Sequence, residues 1–175
     1  QDPYALETVN ISIITYDRDV KIILPLTPLD ELQLPDIITP NSGPTHTGAA
    51  LEKLCSQVDK EVKLSTPEQK GDWMPLLFIM TDGHPSDIMI YNQVVKKIKQ
   101  KNFASIIACA AGMKAKVEPL KQLTNEVYSL DTMDSSSFKK FFKWVSNLIE
   151  VGNKSIGATD ELVLPTPPEE MNKII

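Results

Sequence analysis

An unbroken apolar run, Leu76 to Met80, constrains the fold more than any other feature of the sequence. Five consecutive apolar residues cannot alternate between a buried and a solvated face, so the run is typical of a strand that is covered on both sides. A second apolar run, Phe103 to Ala110, follows the next helical pattern along the chain. Because such strands alternate with helices, the sequence predicts parallel β-α-β units.

The other elements are predicted from periodicity and turn residues. Two runs rich in β-branched residues, Val9 to Tyr16 and Val20 to Leu26, flank Asp17-Arg18-Asp19 and predict an antiparallel hairpin. A short strand is predicted from Glu126 to Leu130. Apolar spacings of three and four predict helices that begin at Thr47, after an N-cap at Ser86, at Val117 and at Ser135. The predicted fold class is α/β: a doubly wound, mostly parallel Rossmann-like sheet with an antiparallel edge hairpin and helices on both faces.

One core is expected, because 175 residues are the length of one ordinary domain. Residues 1–150 are predicted to form this domain, which is N-terminally incomplete for a reason given below. Pro25 to Pro44 contains five prolines and predicts a loop. Residues 151–175 lose the helical periodicity near Gly152 and contain Pro165, Pro167 and Pro168, which predicts a C-terminal extended tail.

Composition excludes several classes of partner. The chain has 18 Lys and Arg against 23 Asp and Glu, a net charge of −5, and no basic cluster of the kind that binds nucleic acid. No apolar run approaches the roughly 18 residues that span a bilayer, so no membrane partner is expected. The two cysteines, Cys55 and Cys109, lie in amphipathic and apolar patterns as small buried residues. This cysteine usage predicts a cytoplasmic location.

Two segments carry candidate ligands. Asp82 follows the apolar run directly, and ligands of open parallel sheets bind at the carboxyl ends of the strands. Thr45 stands just ahead of a predicted helix, between Gly43 and Gly48. Hydroxyl and carboxylate oxygens are ligands that Mg²⁺ accepts. The structural alternatives are an N-cap role for Thr45 or Thr47 and a turn or helix cap for Asp82.

Other chemistries lack a motif. The two histidines, His46 and His84, are too few for tetrahedral zinc and are interpreted as exposed loop residues. The sequence has no G-x-S-x-G turn, and Cys109 lies inside a predicted strand, so no nucleophile is identified. There is no phosphate loop and no G-x-G-x-x-G turn.

The strand that ends in Thr81-Asp82-Gly83 and the Gly-x-Thr-x-x-Gly-x-Ala-Leu turn of Gly43 to Leu51 together resemble the von Willebrand factor A (vWA) domain. More narrowly, four ordered segments resemble the bacterial tellurium-resistance branch of the TerY type: DPYALETVNISIITYD, VKIILPLTPL, KGDWMPLLFIMTDGHPSD and FKKFFKWVSNLI. The resemblance covers nearly the whole of Asp2 to Leu164.

This resemblance implies a metal-ion-dependent adhesion site, in which a carboxylate of a partner protein completes the coordination shell of Mg²⁺. Thr45 matches the threonine ligand of the family, and Asp82 matches the aspartate of its T-D-G motif. The implied binding loop consists of Gly43, His46, Thr47, Gly83 and His84.

The family's D-x-S-x-S motif is missing. Asp134-Ser135-Ser136-Ser137 is superficially similar, but Phe138 stands in place of the second serine, and Asp134 is interpreted as a helix N-cap. The motif follows the first, central strand of the family, whose omission would leave buried backbone groups unpaired at about 1 to 3 kcal/mol each. We therefore expect that strand to precede Gln1 or to come from another chain, which would make the protein a homo-oligomer; a rearranged sheet is the third alternative.

The sequence thus predicts a non-enzymatic protein-binding or adaptor module with a partial metal site. The resemblance implies partners within a bacterial tellurium-resistance or stress-response system, including its kinase or phosphatase components. A first alternative is a metal-dependent hydrolase or phosphotransferase that uses Asp82, for which the other strand ends offer Asp17 and Asp131. A second alternative is a degenerate vWA domain that binds partners without metal.

Overall fold

The computed structural model describes residues 9–38, 43–82, 84–113, 115–131, 134–154 and 164–174. The chain divides into two units: the first consists of Gln1–Trp73 and Pro85–Lys101, and the second of Met74–His84 and Asn102–Ile175.

The first unit begins with an antiparallel hairpin. Strand β1 (Asn10–Tyr16) pairs with β2 (Val20–Pro28), with Tyr16 opposite Val20 and Asn10 opposite Pro28. The carboxylate of Asp17 accepts a hydrogen bond from the backbone N–H of Asp19 at 2.7 Å, which closes the tight turn between them. A short 3₁₀ helix, Leu29–Glu31, follows β2. The hairpin predicted from the sequence is confirmed. The predicted start of the loop at Pro25 is wrong, because β2 continues to Pro28 in pairing with β1.

Two helices among the described residues also belong to the first unit. Helix α1 (Thr47–Glu61) and helix α2 (Ile88–Ile98) lie against each other. α1 also contacts the hairpin, where the side-chain amide of Gln57 donates a 2.8 Å hydrogen bond to the hydroxyl of Ser12. The residues that the two helices bury recur at helical spacing: Ala50, Leu51 and Cys55 in α1, and Tyr91, Val94, Val95 and Ile98 in α2.

The second unit contains a four-stranded sheet in the order β3-β4-β5-β6. Its strands are β3 (Leu76–Thr81), β4 (Ser105–Ala111), β5 (Glu126–Leu130) and β6 (Met171–Lys173). The first three are parallel and in sequence order, whereas β6 pairs with β5 in the antiparallel direction. Helices α3 (Glu118–Leu123) and α4 (Ser135–Lys154) precede and follow β5. The predicted mostly parallel α/β fold class is confirmed.

The core of the second unit joins the sheet to α4. Its aromatic centre consists of Tyr128, Phe141 and Trp144, in which Tyr128 and Trp144 meet edge to face with ring centroids 5.1 Å apart. Aliphatic and sulfur-containing side chains surround these rings: Ile107, Cys109, Leu130, Leu148 and Met171. The burial of apolar side chains such as these is the main favourable contribution to the stability of such a unit.

Three features differ from the prediction. Helix α2 begins at Ile88, after Asp87, so the prediction that Ser86 is its N-cap is wrong. Helix α4 continues to Lys154 and thus through Gly152, where the sequence predicts the loss of helical periodicity; the helix propensity of glycine is only about 1 kcal/mol below that of alanine. Strand β6 was not predicted, since three residues that follow prolines give no periodic signal. Both cysteines are buried and free, as the sequence indicated.

Candidate functional site

Thr45 lies two residues ahead of α1, as the sequence predicted, and its backbone is held at both ends by Ser86. The N–H of Thr45 donates to the hydroxyl of Ser86 at 3.0 Å. In return, the N–H of Ser86 donates to the carbonyl oxygen of Thr45 at 2.9 Å. The hydroxyl that was expected to cap α2 therefore fixes the conformation of the predicted ligand loop.

Asp87 caps α1 from a distant part of the chain. Its two carboxylate oxygens accept hydrogen bonds from the N–H of Gly48 at 3.0 Å and from the N–H of Ala49 at 2.8 Å. A helix leaves its first N–H groups without partners, and its N-terminus carries partial positive charge, so a carboxylate satisfies both requirements. The expectation that Thr45 or Thr47 caps this helix is wrong: the N-cap residue is His46, which makes no side-chain cap.

Gly48 permits this close approach. A Cβ atom at residue 48 would lie 2.5 Å from the backbone nitrogen of Tyr91 and 2.9 Å from a carboxylate oxygen of Asp87. Real Cβ atoms do not approach backbone atoms so closely. Glycine is therefore required at this position by the packing of α1 on α2, and not by its torsion angles. Gly43, by contrast, has no heavy atom within 4 Å of such a Cβ.

His46 is attached to the hairpin turn. Its backbone N–H donates to the carbonyl oxygen of Asp17 at 2.8 Å, and its ring Nδ1 donates to the carbonyl oxygen of Arg18, also at 2.8 Å. Because a carbonyl can only accept, Nδ1 carries the proton in this arrangement. The side chain is half-buried, so the interpretation of His46 as an exposed loop histidine is wrong.

Thr47 is the most enclosed residue of the predicted binding loop, with an exposed fraction of 0%. Its hydroxyl finds no hydrogen-bond partner among the described residues. A buried hydroxyl without a partner costs roughly 1 to 3 kcal/mol. A buried hydroxyl group therefore lies next to Thr45, and none of the described residues supplies its hydrogen-bond partner.

Asp82 directly follows the last residue of β3, as the sequence predicted, and it is exposed. His84 is also exposed, which agrees with its interpretation as a loop residue. Gly83 lies outside the described residues. Asp82 belongs to the second unit and Thr45 to the first, so their joint coordination of a metal stays a prediction.

The oxygen donors fit the chemistry of Mg²⁺ but do not complete its coordination shell. Thr45 and Asp82 supply a hydroxyl and a carboxylate, and Mg²⁺ requires six ligands in near-octahedral geometry. Within the described ranges, no group of three or more His, Cys, Asp or Glu residues is placed to hold a metal ion. Any Mg²⁺ at this site would need several oxygens from water or from another polypeptide segment.

Asp134 has a different role. One carboxylate oxygen accepts hydrogen bonds from the N–H groups of Ser136 at 2.8 Å and Ser137 at 3.0 Å, and the other accepts the hydroxyl of Ser137 at 3.0 Å. These are the contacts of an N-cap at the start of α4. The interpretation of Asp134 as a helix cap is confirmed.

Sequence reasoning did not identify the support that Ser86 and Asp87 give to the candidate loop and to α1. The Ser-Asp pair after Pro85 is visible in the sequence and is typical of the start of a helix. Its partners, however, are 38 to 41 residues away, and no local pattern identifies them.

Comparison with known families decides the identity of the fold. The model of the von Willebrand factor type A domain matches residues 4–144. The chain belongs to the von Willebrand factor type A domain family. The match includes the Thr45 loop, β3 and Asp82 of this vWA domain, and membership indicates a protein-interaction module in general terms. Searches of curated proteins and of solved structures returned no significant match.

Two further observations concern the class of protein. None of the helices in the described part of the vWA chain is long and apolar enough to cross a membrane. Burial raises the pKa of the Cys109 thiol to about 12. The pKa of Cys55 is also raised, because desolvation outweighs the nearby positive charges of Lys101 and Lys97. Neither thiol is therefore activated as a nucleophile.

Proposed function

We propose that this vWA domain is a non-enzymatic adaptor that binds a partner protein through the Thr45 loop and Asp82, with Mg²⁺ between them and the partner. The observation that carries the proposal is the fixation of the Thr45 loop by Ser86 and Asp87. A loop that is already ordered loses little conformational entropy when it binds, which favours recognition. The matched family model supplies the expectation of a protein partner.

Each predicted ligand has a defined role in this proposal. Thr45 would supply a hydroxyl oxygen, directly or through water, and Asp82 would supply negative charge. A carboxylate of the partner would complete the shell and link metal binding to partner binding. Gly43, His46, Thr47, Gly83 and His84 would frame the contact surface.

The first test is calorimetric titration of the chain with MgCl₂, using four variants. Thr45→Val removes the hydroxyl oxygen, and Asp82→Asn removes the negative charge and one carboxylate oxygen, while both keep the shape of the side chain. We expect each to weaken Mg²⁺ binding about tenfold or more, which corresponds to about 1.4 kcal/mol. Thr66→Val and Asp30→Asn are the matched controls and should bind Mg²⁺ as the parent chain does.

The same titration separates the alternatives. If Mg²⁺ binds and all four variants behave alike, the metal site is elsewhere and the proposed ligands are wrong. If Mg²⁺ changes neither the heat signal nor the melting temperature of the parent chain, the domain is the metal-independent vWA module. Mg²⁺-dependent hydrolysis of p-nitrophenyl phosphate that is lost in Asp82→Asn would instead identify the enzyme alternative.

The proposed biological setting is a bacterial tellurium-resistance or stress-response system of the TerY type in the cytoplasm. It is supported by the ordered segments that resemble this branch, including KGDWMPLLFIMTDGHPSD. Its expected partners are the kinase or phosphatase components of that system. Deletion of the gene from its host should lower tolerance to tellurite, and the parent sequence should restore it better than Asp82→Asn. Unchanged tolerance after deletion would contradict the setting without affecting the metal test.

A further inference from the structure

The C-terminal segment Leu164–Ile174, called the tail here, is attached to the second unit as a strand. Its residues 171–173 form β6, in which Met171 lies opposite Leu130 and Lys173 opposite Tyr128. The N–H of Ile174 donates to the carbonyl oxygen of Val127 at 2.8 Å. The tail thus adds an antiparallel strand to the edge of β5, which is the way that many proteins bind an extended peptide.

Side chains anchor the tail at two points. Met171 is 4% exposed and belongs to the core formed by the sheet and α4. The indole N–H of Trp144, a residue that is also only 4% exposed, donates to the carbonyl oxygen of Pro165 at 3.0 Å. Leu164 packs partly buried against the same core. The edge of β5 together with Trp144 and Phe141 is called the tail groove below.

An ion pair fixes the register at the end of β6. The ammonium group of Lys173 lies 2.7 Å from a carboxylate oxygen of Glu126, and the other carboxylate oxygen accepts the hydroxyl of Tyr128 at 2.8 Å. Lys173 also lies over the ring of Tyr128, 6.0 Å from its centroid. A second ion pair, Lys140 with Glu170, connects α4 to the tail. The groove therefore holds the side chains of Met171 and Lys173 and the backbone carbonyl of Pro165 at defined positions.

We infer that the tail groove also accepts the tail of a second copy of this chain, so that two copies exchange tails and form a dimer. The contacts of the tail are hydrogen bonds, apolar packing and ion pairs, and none of them requires that the tail and the groove belong to one chain. Exchange of an identical segment preserves every contact, which makes it a low-cost route to a two-fold dimer.

The length of the connection sets an upper limit on the reach of an exchanged tail. Nine residues, 155–163, join the last residue of α4 to Leu164. A stretch of this length spans at most about 30 Å when fully extended. Binding within one chain is favoured by an effective concentration in the millimolar range, so the parent chain should exchange tails only when it is concentrated. The inference is independent of the proposed metal site, because its contacts involve neither Thr45 nor Asp82.

A charge-reversal pair tests the exchange directly. Glu126→Lys places a like charge opposite Lys173 of its own tail, and Lys173→Glu places a like charge opposite its own Glu126. Each variant alone is mismatched, both within one chain and in a dimer with itself. When the two variants are mixed, an exchanged heterodimer restores opposite charges in both grooves. The double variant Glu126→Lys with Lys173→Glu restores the match within one chain and is the control.

Analytical ultracentrifugation of the intact chains, at roughly 0.5 mM and below, gives the readout. We expect each single variant and the double variant to sediment as monomers, whereas the equimolar mixture forms dimers. The expected gain in dimer affinity over the parent chain is about ten- to hundredfold, since two like-charge contacts are relieved. A mixture that sediments like the double variant at every concentration would overturn the inference.

A second measurement covers the case in which a variant loses stability. A fluorescent peptide of residues 164–175 that carries Lys173→Glu is titrated with the Glu126→Lys chain, and binding is followed by anisotropy. We expect this peptide to bind that chain at least about threefold more tightly than the parent peptide does. Equal binding of the two peptides, or binding of neither, contradicts recognition of a separable tail.

Discussion

The carboxylate of Asp87 accepts a hydrogen bond from the backbone N–H of Gly48, 39 residues earlier in the chain, at 3.0 Å. The contact is possible because Gly48 has no side chain at the point where α1 and α2 meet. It joins two segments that the sequence presents as separate loops, the Thr45 turn and the residues that follow Thr81-Asp82-Gly83. The predicted binding loop is therefore supported by the start of the next helix.

Gly48→Ala should destabilise the first unit, although alanine is the better helix former by up to about 1 kcal/mol. The added Cβ would lie 2.5 Å from the backbone nitrogen of Tyr91, which cannot move without shifting α2. We expect a net loss of about 1 to 3 kcal/mol, measured by urea unfolding followed by circular dichroism. Gly43→Ala is the matched control and should change stability little, because it meets no atom within 4 Å. Stabilisation by Gly48→Ala would show that the helices do not pack as described.

Asp87→Ala should lower stability by about 1 to 2 kcal/mol, because it removes both acceptors from the N-terminus of α1. The exposed Asp30 in the 3₁₀ helix serves as the control, and Asp30→Ala should have a smaller effect. Hydrogen exchange at Gly48 and Ala49 is the more specific measurement. Protection of these two amides should fall in Asp87→Ala, and unchanged protection would argue against the cap.

Local sequence signals accounted for the elements whose stability is encoded locally. Strand β5 was predicted with the bounds that it has, and α1 began at the predicted residue, since periodicity and turn chemistry act within a few residues. Strand β6 escaped prediction because it depends on long-range partners, the edge of β5 and the core around Met171. A three-residue strand has no periodicity of its own to detect.

The same distinction applies to the candidate site. Thr45 and Asp82 were placed correctly relative to α1 and β3, because short motifs next to predicted elements identify such positions. Their role as metal ligands remains a prediction. The support from Ser86 and Asp87 could not be predicted from one sequence. An aspartate that caps a distant helix has the same local sequence pattern as an aspartate that caps the helix next to it.

Asp134→Ala should separate helix capping from metal binding. The substitution removes the acceptor for the N–H groups of Ser136 and Ser137, so we expect a loss of about 1 kcal/mol in unfolding experiments. Titration with MgCl₂ should give the same affinity as the parent chain. A loss of Mg²⁺ binding in this variant would return the Asp134 segment to consideration as a metal site.

The two thiols should react slowly in the folded chain. With its pKa raised to about 12 by burial, Cys109 is ionised to only about one part in 10⁴ at pH 8, and access to it is also restricted. Dithionitrobenzoate should therefore modify both cysteines at full rate only after denaturation in urea. Cys55→Ser, followed in the same assay, isolates Cys109. Rapid labelling of Cys109 in the native chain would contradict its burial in β4.

Acid should weaken the attachment of the tail through Glu126. Burial opposes ionisation of this carboxyl group, but the hydrogen bonds from Lys173 and Tyr128 and the charge of Lys173 outweigh it, so the pKa of Glu126 is lowered from 4.5. A carboxyl group whose pKa is lower in the folded state stabilises the protein above its unfolded pKa. That contribution is lost as the pH falls through the folded value.

Lys173→Gln removes the part of this contribution that comes from Lys173 and should therefore reduce the dependence of stability on pH below about 4.5. The effect is measured as the difference in melting temperature between pH 6 and pH 3.5, which should be smaller in Lys173→Gln than in the parent chain. Lys121→Gln, a lysine substitution in α3, is the control for a general change in net charge. If both variants shift the pH profile equally, net charge and not the Lys173–Glu126 pair governs the acid sensitivity of the second unit.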